Sequence, residues 1–430
     1  MDFKTAEQFL TSLINYERTA LTYNELKLER FRKLLRDLDN PERKLKNVIL
    51  VAGTKGKGSV CHFLESALQH CELKTGHFTK PHLLSVCERI KVASQPIAQS
   101  DFARILTKIR PLVKKHNATY FETITATAFL YFLENNLDYT ILEVGLGGRL
   151  DATNVTQPII AVITLIGFDH IETLGNSLKK IATEKAGIIR NNSYVVCSKQ
   201  RPMACNIIKE KVLKTNSQLC LIGRDLKITN EKLTETSSHF TIQFNNTRSD
   251  FTIPVIGRHQ IANAATAIGV LKRLNELDNR IRWDKVKQGL KAVKIPGRCQ
   301  IVQRYPIVMV DVAHNPDSAQ ALSETVQEIF KKDVILIFGA SKDKLVNEML
   351  KILLPITKKL ILTKADSPRA CLPKELVKIV EPYSIPYIVT ESVKKAIGEG
   401  LRKVAPDEMV VITGSFYVAG EALRHLKTRI

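Results

Sequence analysis

Apolar runs of strand length alternate with helical segments through most of the chain, and that order predicts an α/β protein built on parallel sheet. Asn47–Ala52 reads as a first strand, ending in the glycine-rich turn 53–58, with a helix expected from about Lys57 to Cys71. Tyr139–Val144 is a second buried strand, followed by the turn Gly145-Leu146-Gly147-Gly148. Ile159–Leu165 is a third, followed by a helix from about Leu174 to Ile188. Between about Leu219 and Ile256, short alternating segments such as His239–Phe244 and Asp250–Val255 read as antiparallel strands that extend the first sheet. Helices around His259–Leu274 and Trp283–Val293 close this part, and Ile295-Pro296-Gly297 breaks the helical pattern, which places a domain boundary there. Beyond it, strands near 307–311, 334–338, 359–363, 386–389 and 409–413 alternate with helices, as in a compact doubly wound domain.

Length agrees with two domains, since 430 residues exceed one ordinary core. A hydrophobic fraction of 44% beside 25% charged residues is the balance of a globular chain. The first residues hold no apolar core of a secretory signal, and the longest apolar stretch, Pro158–Phe168, is too short for a membrane span. Eight cysteines occur without a C-x-x-C pair, which excludes a zinc knuckle or redox dithiol and suits free thiols in the cytoplasm. The formal charge of +21 attracts polyanions. The polyanion could be nucleic acid, a membrane surface or a small acidic metabolite; the basic residues are spread along the chain with no aromatic-interleaved basic motif, which favours a basic solvated surface over a nucleic-acid site and keeps the acidic metabolite open.

Three clusters carry chemistry. Gly53-Thr54-Lys55-Gly56-Lys57-Gly58-Ser59 lies between a predicted strand and a predicted helix, the context a phosphate-binding P-loop requires. Glycines let backbone N–H groups turn toward phosphate oxygens, Lys57 reaches the outer phosphates, and Ser59 offers its hydroxyl to Mg²⁺. Second, Glu143 stands at the C-terminal end of a buried strand, where α/β folds bind ligands, and an oxygen donor there suits Mg²⁺. In the following segment, Asp151 and Asn154 can instead cap a helix. Third, Asp169-His170 follows the third strand, and Lys185 precedes Gly187. Taken alone, a lone histidine reads as structural and a lysine there as a charge at a helix C-terminus.

The blocks GTKGKGS (53–59), KPHL (80–83), ERI (88–90), LEVGLGGRLDATN (142–154), GFDHIETLG (167–175), EKAGIIR (184–190), GRHQIANAATA (257–267), PGRCQ (296–300), DVAHNP (311–316) and TGSFYVAGE (413–421) resemble, in order, the folylpolyglutamate and dihydrofolate synthases of the Mur-ligase superfamily. The resemblance runs from about residue 17 to 425. It implies a P-loop-type, mostly parallel sheet domain with helices on both faces over residues 1–296 and a smaller doubly wound, Rossmann-like domain over 297–430. It further implies that Gly53, Thr54, Lys55, Gly56, Lys57, Gly58 and Ser59 hold ATP, and that Ser59, Glu143 and His170 surround Mg²⁺. Lys185 matches a lysine that becomes carbamylated, with a monovalent cation as a further ligand of the site. Asn263, Arg298 and Asp311 match nucleotide-contacting positions, and the folate is expected near Lys80, Pro81, His82, Phe121, Glu122 and Thr123, with Asp151 and His314 beside the substrates. On this resemblance Lys57, Lys185 and His170 serve catalysis. The expected substrates are ATP, a folate and L-glutamate, handled by a monomer with no nucleic-acid or membrane partner. Lys80 and Val312 depart from the residues frequent at those positions, serine and glycine, and Thr22-Tyr23-Asn24-Glu25-Leu26 lacks the Gly-Leu pattern often found where dihydropteroate binds.

Overall fold

The computed structural model describes residues 1–15, 27–169, 171–402 and 404–427. Two compact units divide the chain. One takes Met1–Glu231, His239–Ile253 and Gln260–Val293, and the other takes Lys232–Ser238, Pro254–His259 and Lys294–Ile430. Two short segments thus leave the first unit ahead of residue 294, which a single linear boundary at 296/297 does not represent.

The first unit is organised by an eight-stranded sheet. Its strands are β1 Val48–Ala52, β2 Thr75–Phe78, β3 Ile90–Val92, β4 Gln95–Pro96, β5 Tyr139–Glu143, β6 Ile160–Ile163, β7 Tyr194–Cys197 and β8 Gln218–Leu221, in the order β4-β3-β2-β5-β1-β6-β7-β8. From β2 to β8 every pairing is parallel, and β3 and β4 add an antiparallel edge. Every residue of β1, β5 and β6 is buried. Successive side chains of a strand point to opposite faces, so both faces are covered. One face packs through Val48, Leu50 and Ala52 into a core with Ala6 and Leu10 of helix Phe3–Ser12 and Phe31, Leu34 and Leu35 of helix Glu29–Asp37. The first of these helices is started by Asp2, whose carboxylate accepts from Thr5 N at 2.7 Å.

Two sequence expectations need correction here. The alternating segments after β8 do not extend the first sheet. The chain turns at Gly223 (φ 94°) and builds a separate three-stranded sheet from β9 Leu226–Leu233, β10 Ser238–Phe244 and β11 Thr247–Ile253. In β9 only Leu226 is buried, so little apolar surface would have been gained by stacking it on the parallel edge. The helix expected over 174–188 is two, Ile171–Leu174 and Leu178–Ala186. Gly175 adopts a left-handed φ of 90°, and Ser177 opens the second by accepting from Lys180 N at 3.2 Å.

The second unit holds a six-stranded sheet. Its strands are β12 Gln300–Arg304, β13 Ile307–Val310, β14 Asp333–Phe338, β15 Thr357–Leu362, β16 Tyr387–Val389 and β17 Glu408–Thr413, in the order β12-β13-β17-β14-β15-β16. All pairings are parallel except the β12–β13 edge hairpin, which the periodicity does not single out. Met309, Leu336, Phe338, Leu360 and Val411 form its core with Leu322, Met349 and Leu376 of flanking helices. Among the described residues no helix is long and apolar enough to cross a membrane.

Candidate functional site

Strand β1 runs at the centre of the first sheet, with β5 on one side and β6 on the other. The carboxyl ends of these three strands define the crevice where open α/β sheets take their ligands. The loop 53–59 leaves β1 at this edge. Gly53 (φ 147°) and Gly56 (φ 85°) hold conformations that L side chains rarely adopt, and a Cβ on them would fall 1.8 Å from Thr164 Oγ1 and 2.1 Å from Asn263 Oδ1. Asn263, expected at the nucleotide, is therefore packed directly on the loop. Thr54 N and Lys55 N donate to the carbonyl of Leu165 at 2.9 and 3.1 Å, and Thr54 Oγ1 donates to Gly167 O at 3.0 Å. These bonds pin the loop to the segment after β6. Gly56 then caps helix Lys57–His70, whose free N-terminal amides and dipole make the loop an anion-binding site.

Two ammonium groups converge on one carbonyl. Lys57 Nζ donates to Gly53 O at 3.0 Å and to Thr54 O at 3.4 Å, while Lys185 Nζ donates to the same Gly53 O at 2.9 Å. Lys185 is buried, on helix Leu178–Ala186, and is not the solvated helix-end charge that its position alone implies. Burial first, then the charge of Lys57 and that of Lys80, outweigh the help of Asp169 and Asp151 and pull its pKa from 10.5 to about 7. The folded pKa lies below the unfolded one, so between about pH 7 and 10.5 the unfolded chain binds the extra proton and stability rises with pH. In CO₂-free buffer, the wild type should gain more stability over that window than Lys185→Met, read from urea midpoints at each pH. Equal pH slopes for the two proteins would remove the assignment.

Glu143, the last residue of β5, is buried beside this pair. Thr79 Oγ1 donates to its Oε2 at 2.5 Å and Lys80 N donates to the same oxygen at 3.2 Å. A Cβ on Gly58 would lie 3.4 Å from Oε2, so the carboxylate stands close to the loop, with buried Ser59 next in the chain. Thr79 is a contact that the sequence reading missed. Its position immediately before Lys80-Pro81-His82 was the available signal. His170 lies outside the described residues, as does the segment Thr22-Tyr23-Asn24-Glu25-Leu26.

The residues expected around the acceptor substrate separate into two groups. Lys80 begins a loop whose His82 accepts at Nδ1 from Arg89 Nε at 2.9 Å, and the buried Arg89 guanidinium lies 5.3 Å over the Tyr120 ring. Phe121 packs at a tilt of 43° against Phe78 (ring centroids 5.8 Å apart), and a Cβ on Gly145 would fall 2.4 Å from its Cζ, so this ring walls the turn after Glu143. Glu122, Thr123 and Asp151 are instead committed to the scaffold. Glu122 closes a capping box with Thr119 at the start of helix Tyr120–Glu134 and pairs with Arg30 at 2.9 Å. Thr123 is fully buried within that helix. Asp151 accepts from Leu146 N at 2.8 Å and from Thr153 N and Oγ1 at 3.0 and 2.6 Å, the capping alternative, and burial raises its pKa against those bonds. Asn154 ties loops together by donating to Arg149 O at 3.0 Å and Gly187 O at 3.2 Å.

Within the second unit, Arg298, His314 and Phe416 form one cluster. The Arg298 guanidinium lies 5.1 Å from the Phe416 ring centroid, and the His314 ring 5.2 Å from it. His314 Nδ1 donates to Val312 O at 2.9 Å. Asp311 is buried at the end of β13 and accepts from Cys299 N at 2.8 Å and Ala313 N at 2.7 Å. The bulk of Val312 is accommodated, since its side chain is buried while its carbonyl orients His314. Phe416 was not singled out from the sequence, although it stands inside the block 413–421.

Residues 51–271 match the Mur ligase middle domain, and residues 297–416 match the Mur ligase, glutamate ligase domain. A dihydrofolate synthase/folylpolyglutamate synthase of Bacillus subtilis is 34% identical over 93% of this chain and 95% of its own. Among solved structures, a Mycobacterium tuberculosis folylpolyglutamate synthase complexed with ADP superposes with a TM-score of 0.90, at 29% identity, over 99% of this chain and 98% of that one. A bifunctional folylpolyglutamate synthase/dihydrofolate synthase with Mn, AMPPNP and L-glutamate bound gives a TM-score of 0.86 at 28% identity, covering 99% and 98% of the two chains.

Proposed function

The chain belongs to the folylpolyglutamate synthase and dihydrofolate synthase family of Mur ligases, and from that premise we propose that it joins L-glutamate to the γ-carboxylate of a folate, driven by ATP. The observation that carries the reading is the convergence of the glycine loop, Lys57 and Lys185 on the Gly53 carbonyl beside buried Glu143. The relatives that bind ADP, AMPPNP, a divalent metal and L-glutamate support the same chemistry.

A carboxylate is a poor electrophile, so its oxygen first attacks the γ-phosphorus of ATP. An acyl phosphate forms as the bond to ADP breaks. The amine of glutamate then attacks the acyl carbon, the C–O bond to phosphate breaks, and the amine loses a proton. In this sequence the chain positions and stabilises rather than reacts. Loop amides and the helix N-terminus hold the phosphates. Lys57 turns from its loop carbonyls to the transferring group, and Asn263, Arg298 and Asp311 are assigned to the nucleotide. Ser59 and Glu143 are buried oxygen donors, the first next to Gly58 in the chain and the second 3.4 Å from where a Cβ on that glycine would lie, a set that fits Mg²⁺, with His170 as the third expected ligand. When bound there, the ion neutralises charge on the phosphoryl group. Lys80-Pro81-His82 and Phe121 are assigned to the folate, with Lys80 supplying positive charge for an anionic acceptor. The +21 surface suits substrates that gain negative charge with each glutamate.

Lys185 is assigned a carbamate. Only a neutral amine attacks CO₂, and a pKa of about 7 keeps much of this lysine neutral at physiological pH. Its nitrogen bonds to the carbon of CO₂ and releases a proton. The product is an anion beside Lys57, replacing repulsion between two ammonium groups with attraction.

The decisive experiment measures ATP- and glutamate-dependent phosphate release with tetrahydrofolate monoglutamate and dihydropteroate as separate acceptors. Activity with tetrahydrofolate is the expected result. Activity with dihydropteroate as well establishes the bifunctional enzyme, the second reading, which the combined name of the Bacillus subtilis relative favours. No activity with either would overturn the acceptor assignment.

A further inference from the structure

Helix Lys57–His70 carries a second group of donor atoms beyond the phosphate loop. His62 and Glu65 are three residues apart and share one helix face, and His77 on β2 meets them. His77 Nδ1 lies 2.9 Å and His62 Nδ1 3.7 Å from Glu65 Oε2. The imidazole rings stand nearly perpendicular with centroids 5.0 Å apart, and one donor atom from each of the three residues falls within 4.8 Å of the others. Nothing in the ligase reaction uses this group.

Two features point to a ligand. Glu65 and His77 are almost completely buried, yet among the described residues Glu65 Oε1, on the carboxylate that both imidazoles approach, has no hydrogen-bond partner. An unpaired buried acceptor is costly, so a helix–strand contact built only for packing would not favour it. The spacings also match a metal's needs. Tetrahedral zinc with N and O bonds of about 2.0–2.1 Å sets its donors about 3.4 Å apart, and the two measured spacings of 2.9 and 3.7 Å lie on either side of that value.

We propose that His62, Glu65 and His77 bind a borderline divalent cation of the Zn²⁺ type, as a site distinct from the oxygen donors Ser59 and Glu143. Two imidazoles and one carboxylate select Zn²⁺ or Co²⁺ over Mg²⁺, which prefers oxygen alone. The cation displaces the proton shared between His77 and Glu65. His62, with 14% of its side chain exposed, is the entry side and leaves the fourth coordination position to water. The consequence is mechanical: the cation ties β2 to the helix that presents Lys57 and Ser59. This inference does not depend on the substrate assigned to the ligase.

The test uses the full chain without an affinity tag, stripped with chelator and kept in saturating Mg²⁺ and AMPPNP to occupy the oxygen site. Zn²⁺ should then bind at one equivalent by mass spectrometry of the metal and raise Tm. Co²⁺ should give the intense visible absorption of four-coordinate N/O ligation, without thiolate charge-transfer bands. His62→Ala, at the exposed edge, should keep the fold by circular dichroism and weaken Zn²⁺ affinity at least about tenfold, and Glu65→Gln should do the same. The proposal fails if the wild type binds no Zn²⁺ under these conditions. It fails equally if His62→Ala binds Zn²⁺ as tightly as wild type, or if the Co²⁺ spectrum is six-coordinate or thiolate-bound.

Discussion

Replacing Lys57 with alanine is expected to lower turnover by about 10²–10³-fold, the range for removing one preorganised charge-stabilising donor. Lys57 is the first residue of its helix, and among the described residues its ammonium bonds to the carbonyls of Gly53 and Thr54. Alanine suits a helix, and the loop is held independently through Thr54, Lys55 and Leu165, so Tm should move little. In the proposed reaction the lost group acts on the phosphoryl group as charge spreads in the transition state, so the effect is expected in kcat more than in KM. Phosphate release at saturating ATP, with a thermal melt of the same sample, checks both halves. Near-normal kcat in a folded variant would remove the loop from catalysis. The substitution has a second reach: with Lys57 gone, the ammonium of Lys185 is less opposed and its pKa rises. Double replacement of Lys57 and Lys185 should therefore cost less than the product of the single effects.

Lys185→Ala should leave activity reduced at least a hundredfold, a loss of about 3 kcal/mol of transition-state stabilisation. Burial and the neighbouring ammonium groups make this amine a nucleophile toward CO₂, and the anion so formed would face Lys57. Alanine removes both anion and side chain, leaving room for a small carboxylate. Added acetate or formate should restore part of the lost kcat in Lys185→Ala and none in Lys57→Ala. In the wild type, ¹³C-bicarbonate should produce a carbamate resonance that Lys185→Ala lacks. A fully active wild type with no such resonance would exclude the carbamate, and rescue of both variants alike would show a general effect of anions.

What the sequence could reveal followed the range of the interactions involved. The strands β1, β5 and β6 were legible because each is mostly apolar, with glycine directly after β1 and an acidic residue closing β5, a purely local signal. The loop 53–59 was legible for the same reason, since its φ values demand glycine at 53 and 56. In the β9–β11 segment the sequence named strands near β10 and β11 but placed them in the wrong sheet, because pairing partners are chosen by tertiary packing and not by alternation.

The same distinction divides the site. By itself the sequence determined the α/β class, the phosphate loop, the carboxylate at the end of β5 and the family, since each is written in contiguous residues. Only the tertiary structure decided which contacts those residues make. Glu122 lies one residue from Phe121, yet it is spent on a helix cap and Arg30 while Phe121 covers the turn after Glu143. Lys185 reads as a helix-end charge until the fold buries its amine against Gly53, 132 residues earlier in the chain. His62, Glu65 and His77 carried no motif at all. A pKa or a ligand set depends on distances of a few ångströms between groups remote in sequence, and these exist only once the chain has folded.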